Sequence, residues 1–130
     1  QGLAEAEAAG RWLAAQGLVP DRVLCSPARR SRESLEAVLQ AIGYVEQCLE
    51  DGIYEATAGT LAALADANRE AERLLIVGHN PGLEHLAALM HSGQTGDYRG
   101  MPTSSVVVLK LPVDASIEPG IATLSAFWWP

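Results

Sequence analysis

Apolar residues recur along this chain in two alternating rhythms. From about Leu3 to Gln16 they fall at helical spacing, at Leu3, Ala6, Gly10, Leu13 and Ala14, which predicts an amphipathic helix stopped by Gly17. Val23 to Cys25 is a short unbroken apolar run, the pattern of a buried strand. Ser26 and Pro27 then open a turn or helix, with proline in its favoured early position. Leu35, Val38, Leu39 and Ile42 mark the inward face of that helix, and Gly43 closes it. Val45 to Ala58 follows neither rhythm and reads as a short strand or loop with a polar edge. Leu61 to about Glu70 is helical, with Leu61, Leu64 and Ala65 inward, and Leu74 to Val77 repeats the strand pattern. Leu83, Leu86, Ala87 and Met90 form a further helix face that ends at Gly93. After a polar, glycine-rich loop over 94–103, Val106 to Leu111 and Ile121 to Phe127 read as two strands, joined by 112–120 as a hairpin.

This alternation predicts an α/β domain with a mostly parallel sheet between helices and a C-terminal hairpin. Ligands of open parallel sheets bind beyond the carboxyl ends of the strands, where Ser26 and His79 both lie. If those two strands are neighbours, Arg30 and His79 could converge on one pocket. No repeat, low-complexity segment or linker divides the chain, so residues 1–130 are expected to form one domain. The chain opens at Gln1 already inside a helical pattern, so a further N-terminal segment is expected upstream. A central strand there would complete a thin core of two parallel strands and a hairpin.

The net charge of −7 disfavours a general nucleic-acid binder, although it leaves room for a local anion site. Cys25 and Cys48 are too few for a disulfide framework, and Cys25, inside an apolar run, is expected to be a reduced core residue. No apolar stretch reaches the roughly 18 residues of a membrane span and no leader pattern is visible, so the expectation is a cytoplasmic protein with no membrane or nucleic-acid partner.

The chemistry concentrates at the two strand ends. Leu74 to Val77 runs into Gly78-His79-Asn80-Pro81-Gly82, which sets an imidazole at a strand-to-helix turn. Unpaired backbone N–H groups and the helix dipole there favour an anion such as phosphate. With Asn80 as N-cap and Pro81 as first helical residue, His79 is not needed for capping. The turn after Cys25 carries Arg29, Arg30 and Arg32 near the positive end of a helix, where cations are mildly unfavourable. Glu33 and Glu36 could offset part of that charge; a phosphate facing one guanidinium would offset it better. His79, His85 and His91 are six residues apart and would point to different sides of one helix, so a shared metal is not expected and His85 and His91 read as surface residues. Ser26 with His79 suggests a serine hydrolase, but no Gly-x-Ser-x-Gly surrounds Ser26, and serine before proline at a helix start is usually a cap. No Walker-type loop occurs. A carboxylic acid among Glu50, Asp51 and Glu55 could protonate a leaving oxygen, although a solvated acidic loop is the plainer reading. The hydroxyls of Thr103, Ser104 and Ser105 could donate to a phosphate or serve turn chemistry.

Cys25-Ser26-Pro27-Ala28-Arg29-Arg30-Ser31 is similar to the Ser-Pro-x-x-Arg-Ala of the histidine phosphatase superfamily, and Val77-Gly78-His79-Asn80-Pro81-Gly82-Leu83 to its Val-Gly-His-Asn-Pro-Gly-Leu. Pro102-Thr103 resembles its late Phe-Pro-Thr, and the first helix, with Gly2 and Ala9, the segment after its Leu-Thr-x-x-Gly. The resemblance spans nearly the whole chain and is nearest to the small SixA-type phosphohistidine phosphatases. It implies a phosphoglycerate mutase-like three-layer fold, with Arg30 and His79 catalytic and phosphate-binding. It further implies Asn80, Thr103 and Ser104 beside the phosphate, Glu55 as candidate proton donor, and no metal or other cofactor. The family's nucleophile belongs to an Arg-His motif on a first strand, which nothing here matches. The resemblance therefore implies a domain lacking that strand, whose nucleophile lies upstream of Gln1.

The implied reaction is in-line attack by the upstream histidine, a covalent phosphohistidine intermediate, and release of phosphate by water. Arg30 and His79, the latter best as imidazolium, would hold the equatorial oxygens. The stretch from Gly43 to Leu61 leaves little room for a lid, so the partner expected is a phosphohistidine-bearing protein. An imidazole leaving group also needs less acid help than an alkoxide. A small phosphomonoester as substrate, or a non-catalytic phosphate-binding regulatory module, are the alternatives.

Overall fold

The structure, a computed structural model, describes residues 2–93 and 104–130. Strand β1 (Arg22–Cys25) lies between β2 (Gln47–Leu49) and β3 (Leu74–Val77) in a parallel sheet of order β2-β1-β3. Parallel neighbours require crossovers. Helix α2 (Arg29–Ile42) makes the first; a 3-10 turn (Asp51–Ile53) and helix α3 (Ala58–Ala67) make the second. Val23, Leu24 and Cys25 are buried because β1 is covered on both faces, as its unbroken apolar run predicts. Leu35 and Val45 pack on one side of it, and Ile53 and Leu61 on the other.

Strand β2 corrects the expectation of only two parallel strands. Its residues are all exposed, so it carries no apolar run for the sequence to display. Its parallel pairing with β1, Gln47 beside Val23, Cys48 beside Leu24 and Leu49 beside Cys25, makes it a strand. Helix α3 starts at Ala58 rather than Leu61, because Thr57 Oγ accepts the N–H of Thr60 at 3.2 Å. It ends at Ala67, where Asn68 takes over and donates its side-chain amide to the Leu64 carbonyl at 2.8 Å.

Helix α1 (Gly2–Ala15) packs against α2 through Ala6, Ala9, Gly10 and Leu13; Leu3 and Ala14, expected inward, are exposed. A Cβ on Gly10 would stand 2.6 Å from the Val38 carbonyl oxygen, so glycine permits the close crossing of the two helices. Helix α4 (Gly82–Ser92) follows β3, and Gly93 ends it in the left-handed conformation at φ 89°. The C-terminal hairpin forms as expected: β4 (Val106–Lys110) pairs antiparallel with β5 (Thr123–Trp128), with a bulge at Val108/Leu109. Trp128 stacks on Trp12 of α1 at 5.9 Å, and α4 accepts hydrogen bonds from Gly120 and Ala122 at its Leu89 and Met90 carbonyls. Arg69, after α3, donates to the Pro112 and Ala115 carbonyls and so ties down the connection between β4 and β5. Among the described residues no helix is long and apolar enough to cross a membrane.

Candidate phosphate site at the carboxyl edge of the sheet

Strands β1 and β3 end level, with Cys25 opposite Val77. The Ser26 N–H continues the ladder by donating to the Val77 carbonyl at 2.9 Å. The turns after the two strands therefore leave the sheet side by side, although the residues involved are about fifty positions apart in sequence. His79 Nε2 lies 2.8 Å from Ser26 Oγ and 3.5 Å from Ser31 Oγ. Ser26 Oγ also accepts the N–H of Ala28 at 3.2 Å. The Tyr54 ring meets the imidazole edge-on, with centroids 5.6 Å apart and planes at 84°. Ser26 is fully buried at 0% exposure, which sets aside the serine-hydrolase reading: its hydroxyl shapes a turn and holds a histidine where no substrate can reach it.

The three arginines divide clearly. Arg29 pairs with Glu33 at 3.1 Å, and Arg32 Nε donates to the Pro27 carbonyl at 3.0 Å. Arg30 is exposed, and its side chain has no partner among the described residues. The helix it opens has Ala28 at the N-cap, no side-chain cap and no acid in its first turn. A positive helix end, uncapped N–H groups and an uncommitted guanidinium thus occur together. Ser31, next in sequence to Arg30, is the residue through which this turn touches His79.

Beside His79 opens a cavity of about 750 Å³, whose walls include Tyr54, Glu55, Asn80, His85 and Leu89. Neither Arg30 nor Ser104 lines it. Glu55, the candidate proton donor, is exposed on its rim in the left-handed region at φ 54°. Ser104, at φ 64°, lies two residues before β4, and Thr103 lies outside the described residues.

Two local expectations change here. Helix α4 starts at Gly82 with Pro81 at the N-cap, so Asn80 is not the cap. A Cβ on Gly82 would fall 2.6 Å from the Ala56 carbonyl oxygen, so only glycine fits at the first position of this helix. His79 consequently lies before the helix, and the comparison of histidine directions along one helix does not apply to it. His85, expected on the surface, is half-buried in the cavity wall, whereas His91 is exposed. Among the described residues no group of three or more His, Cys, Asp or Glu is placed to hold a metal. Burial pushes the Cys25 thiol up to about 11, which leaves it un-ionised at neutral pH.

Ser31 and Tyr54 were missed in the sequence. Ser31 carried a signal: it stands on the stripe that continues through Leu35 and Val38, a hydroxyl where an apolar residue is expected. Tyr54, in a stretch with no periodicity, carried none.

A level pair of parallel strand ends brings a helix start that carries Arg30 and has no side-chain cap beside the His79 turn, so this α/β protein has a candidate anion site at the carboxyl edge of its sheet. Comparison with known proteins gives the family. The model of the histidine phosphatase superfamily, branch 1, matches residues 1–82, a span that contains both turns. An uncharacterised protein of Mycobacterium tuberculosis is 34% identical over all of this chain and 86% of its own length. A structure assigned as phosphohistidine phosphatase SixA, from Agrobacterium tumefaciens, superposes with a TM-score of 0.81 at 28% identity, over 98% of this chain and 79% of that one. The protein histidine phosphatase SixA complexed with tungstate gives 0.83 at 22% identity, over 98% and 80%. The chain belongs to the histidine phosphatase superfamily, and its fold is that of the SixA-type structures.

Proposed function

We propose that this chain carries the phosphate-holding part of a phosphatase that removes the phosphoryl group from protein phosphohistidine. The nucleophile is a histidine of an Arg-His motif on a strand upstream of Gln1. The observation that carries this reading is the junction at the carboxyl edge of the sheet. There His79 is fixed 2.8 Å from Ser26, and the adjoining helix turn presents Arg30 as a guanidinium with no partner among the described residues. A phosphoryl group supplies what that turn lacks, an anion for the fork of Arg30 and acceptors for the uncapped N–H groups. Family membership and the 28% identical SixA structure support the same reading.

In this scheme the upstream imidazole attacks phosphorus, Arg30 and His79 hold the equatorial oxygens, and water cleaves the phosphohistidine intermediate. Glu55, on the cavity rim, is the candidate group to protonate the imidazole nitrogen that leaves when the P–N bond breaks. Asn80 and the hydroxyls of Thr103 and Ser104 are the further candidate phosphate contacts. The open cavity beside His79 suits a phosphorylated side chain carried on a protein surface. The test has two parts. Reading the coding sequence upstream of Gln1 is expected to show an in-frame Arg-His after an apolar strand; its absence moves the reading to a non-catalytic phosphate-binding module. The longer protein is then assayed on a phosphohistidine-bearing protein, a phosphoserine peptide and a small phosphomonoester. Preference for the small ester would replace the substrate class named here.

A further inference from the structure

We infer that Ser26 and Ser31 are positioning residues that set the tautomer of His79, keeping its neutral ring protonated at Nδ1 so that Nδ1, not Nε2, is the hydrogen-bond donor to a bound phosphoryl oxygen. The argument is a count of donors and acceptors around one nitrogen. Ser26 is 0% exposed and Ser31 4%, so neither hydroxyl can turn to bulk water. Each hydroxyl has one hydrogen to give. For both, the acceptor within reach among the described residues is His79 Nε2, at 2.8 Å and 3.5 Å. The other polar contact of Ser26 Oγ, from the Ala28 N–H at 3.2 Å, uses the oxygen as an acceptor and leaves its hydrogen still to be placed.

If Nε2 carried the hydrogen in the neutral ring, it would donate towards the serines. Two hydroxyl hydrogens would then be sealed in the interior with nothing to accept them, an arrangement native structures avoid. If Nε2 is bare, the nearer serine donates to it and that hydrogen is satisfied. The neutral imidazole must then hold its own hydrogen on Nδ1. Ser31, at the longer distance, is the secondary donor to the same lone pair. Tyr54, edge-on to the ring, limits its rotation away from the serine pair. This also gives a reason for Ser31 on the apolar stripe of α2, where alanine would pack as well. The consequence for a phosphoryl group rests on the function proposed above; the tautomer itself does not.

The measurement is nitrogen NMR of the intact chain with the histidine rings neutral. Long-range proton–nitrogen correlations distinguish a protonated from a bare ring nitrogen, and His79 is assigned by the loss of its signals in His79→Gln. The expected pattern for His79 is a protonated Nδ1 and a bare Nε2. The opposite pattern in the unsubstituted chain overturns the inference, and this result depends on no variant folding. Ser26→Ala is expected to move His79 towards the Nε2-protonated form and to weaken binding of inorganic phosphate about tenfold. Ser31→Ala is expected to do the same to a smaller extent. If both variants fold and keep the Nδ1 pattern, the serines do not set it and their role is refuted. If Nδ1 is protonated but inorganic phosphate does not bind even the unsubstituted chain, the tautomer stands and the phosphatase reading is what fails.

Discussion

Replacing Arg30 by alanine tests whether the three arginines of α2 divide as the structure divides them. Arg30 forms no ion pair or hydrogen bond among the described residues, so its loss removes nothing that holds the fold. It also relieves positive charge at a helix start with no acid in its first turn. The change in unfolding free energy is therefore expected within about 0.5 kcal/mol of zero. On a phosphoryl group the same guanidinium would make two charge-assisted hydrogen bonds, each worth about 1.5–3 kcal/mol. Losing them in the transition state predicts a fall in turnover of at least about 100-fold. Arg29→Ala breaks an exposed pair with Glu33, worth about a few tenths of a kcal/mol, and Arg32→Ala frees the Pro27 carbonyl. Neither is expected to lower turnover by more than a few-fold. The assay is steady-state turnover of phosphohistidine by the protein that includes the proposed upstream strand, with a urea melt of each variant. Near-normal turnover in Arg30→Ala, or equal losses in all three variants, would refute the reasoning.

Three further outcomes are expected. A thiol-reactive dye at pH 8 should label Cys48 rapidly and Cys25 only after unfolding, because Cys48 is exposed whereas Cys25 is buried with its thiol pushed up to about 11; two fast thiols in the native protein would contradict that burial. Leu61→Ala should lower the urea midpoint at unchanged slope and cost about 2–5 kcal/mol, since Leu61 is 1% exposed between Leu24 and Ile53; a loss below about 1 kcal/mol would mean this side of the sheet is not a packed core. The carboxyl of Asp21 is held below its ordinary 3.8 by the N–H groups of Arg73 and Glu72, so its contribution to stability is complete above that value and is lost as pH falls through the lower, folded one. Asp21→Asn should therefore flatten the acid limb of a stability–pH curve and lower the plateau above it; an unchanged acid limb would remove Asp21 from the account.

Legibility in the sequence followed burial. β1, β3, the inward face of α2 and the hairpin strands could be read because each carries apolar residues at a period that survives tertiary context. β2 could not, because an edge strand of Gln47, Cys48 and Leu49 is a strand only through its partner. The start of α3 is not legible because its signal is a single threonine cap, and that of α4 because no side chain caps it and Pro81, not Asn80, stands at the cap. At the site, His79 and the arginine turn were visible as motifs, since strand ends and helix starts leave local signatures. Which arginine is uncommitted was not visible from composition and spacing. That depends on Glu33 and Pro27 taking Arg29 and Arg32 out of use.

The site's geometry depends on strand register, and register depends on the core. Cys25 stands opposite Val77, which lets Ser26 donate to Val77 and sets Ser26 Oγ beside the imidazole. A slip of one residue between β1 and β3 would turn every following side chain to the opposite face and carry His79 away from both serines. What prevents the slip is that Val23 and Cys25 are buried in one cluster and Leu24, between them, in another on the opposite side. Cavity-forming substitutions in this strand therefore act on the site before they unfold the chain. A β1 variant with most of its stability intact should already show a disturbed His79 tautomer, whereas an equally destabilising change in the hairpin, which meets the rest of the fold at α1, α4 and Arg69 rather than at the site, should leave it in place.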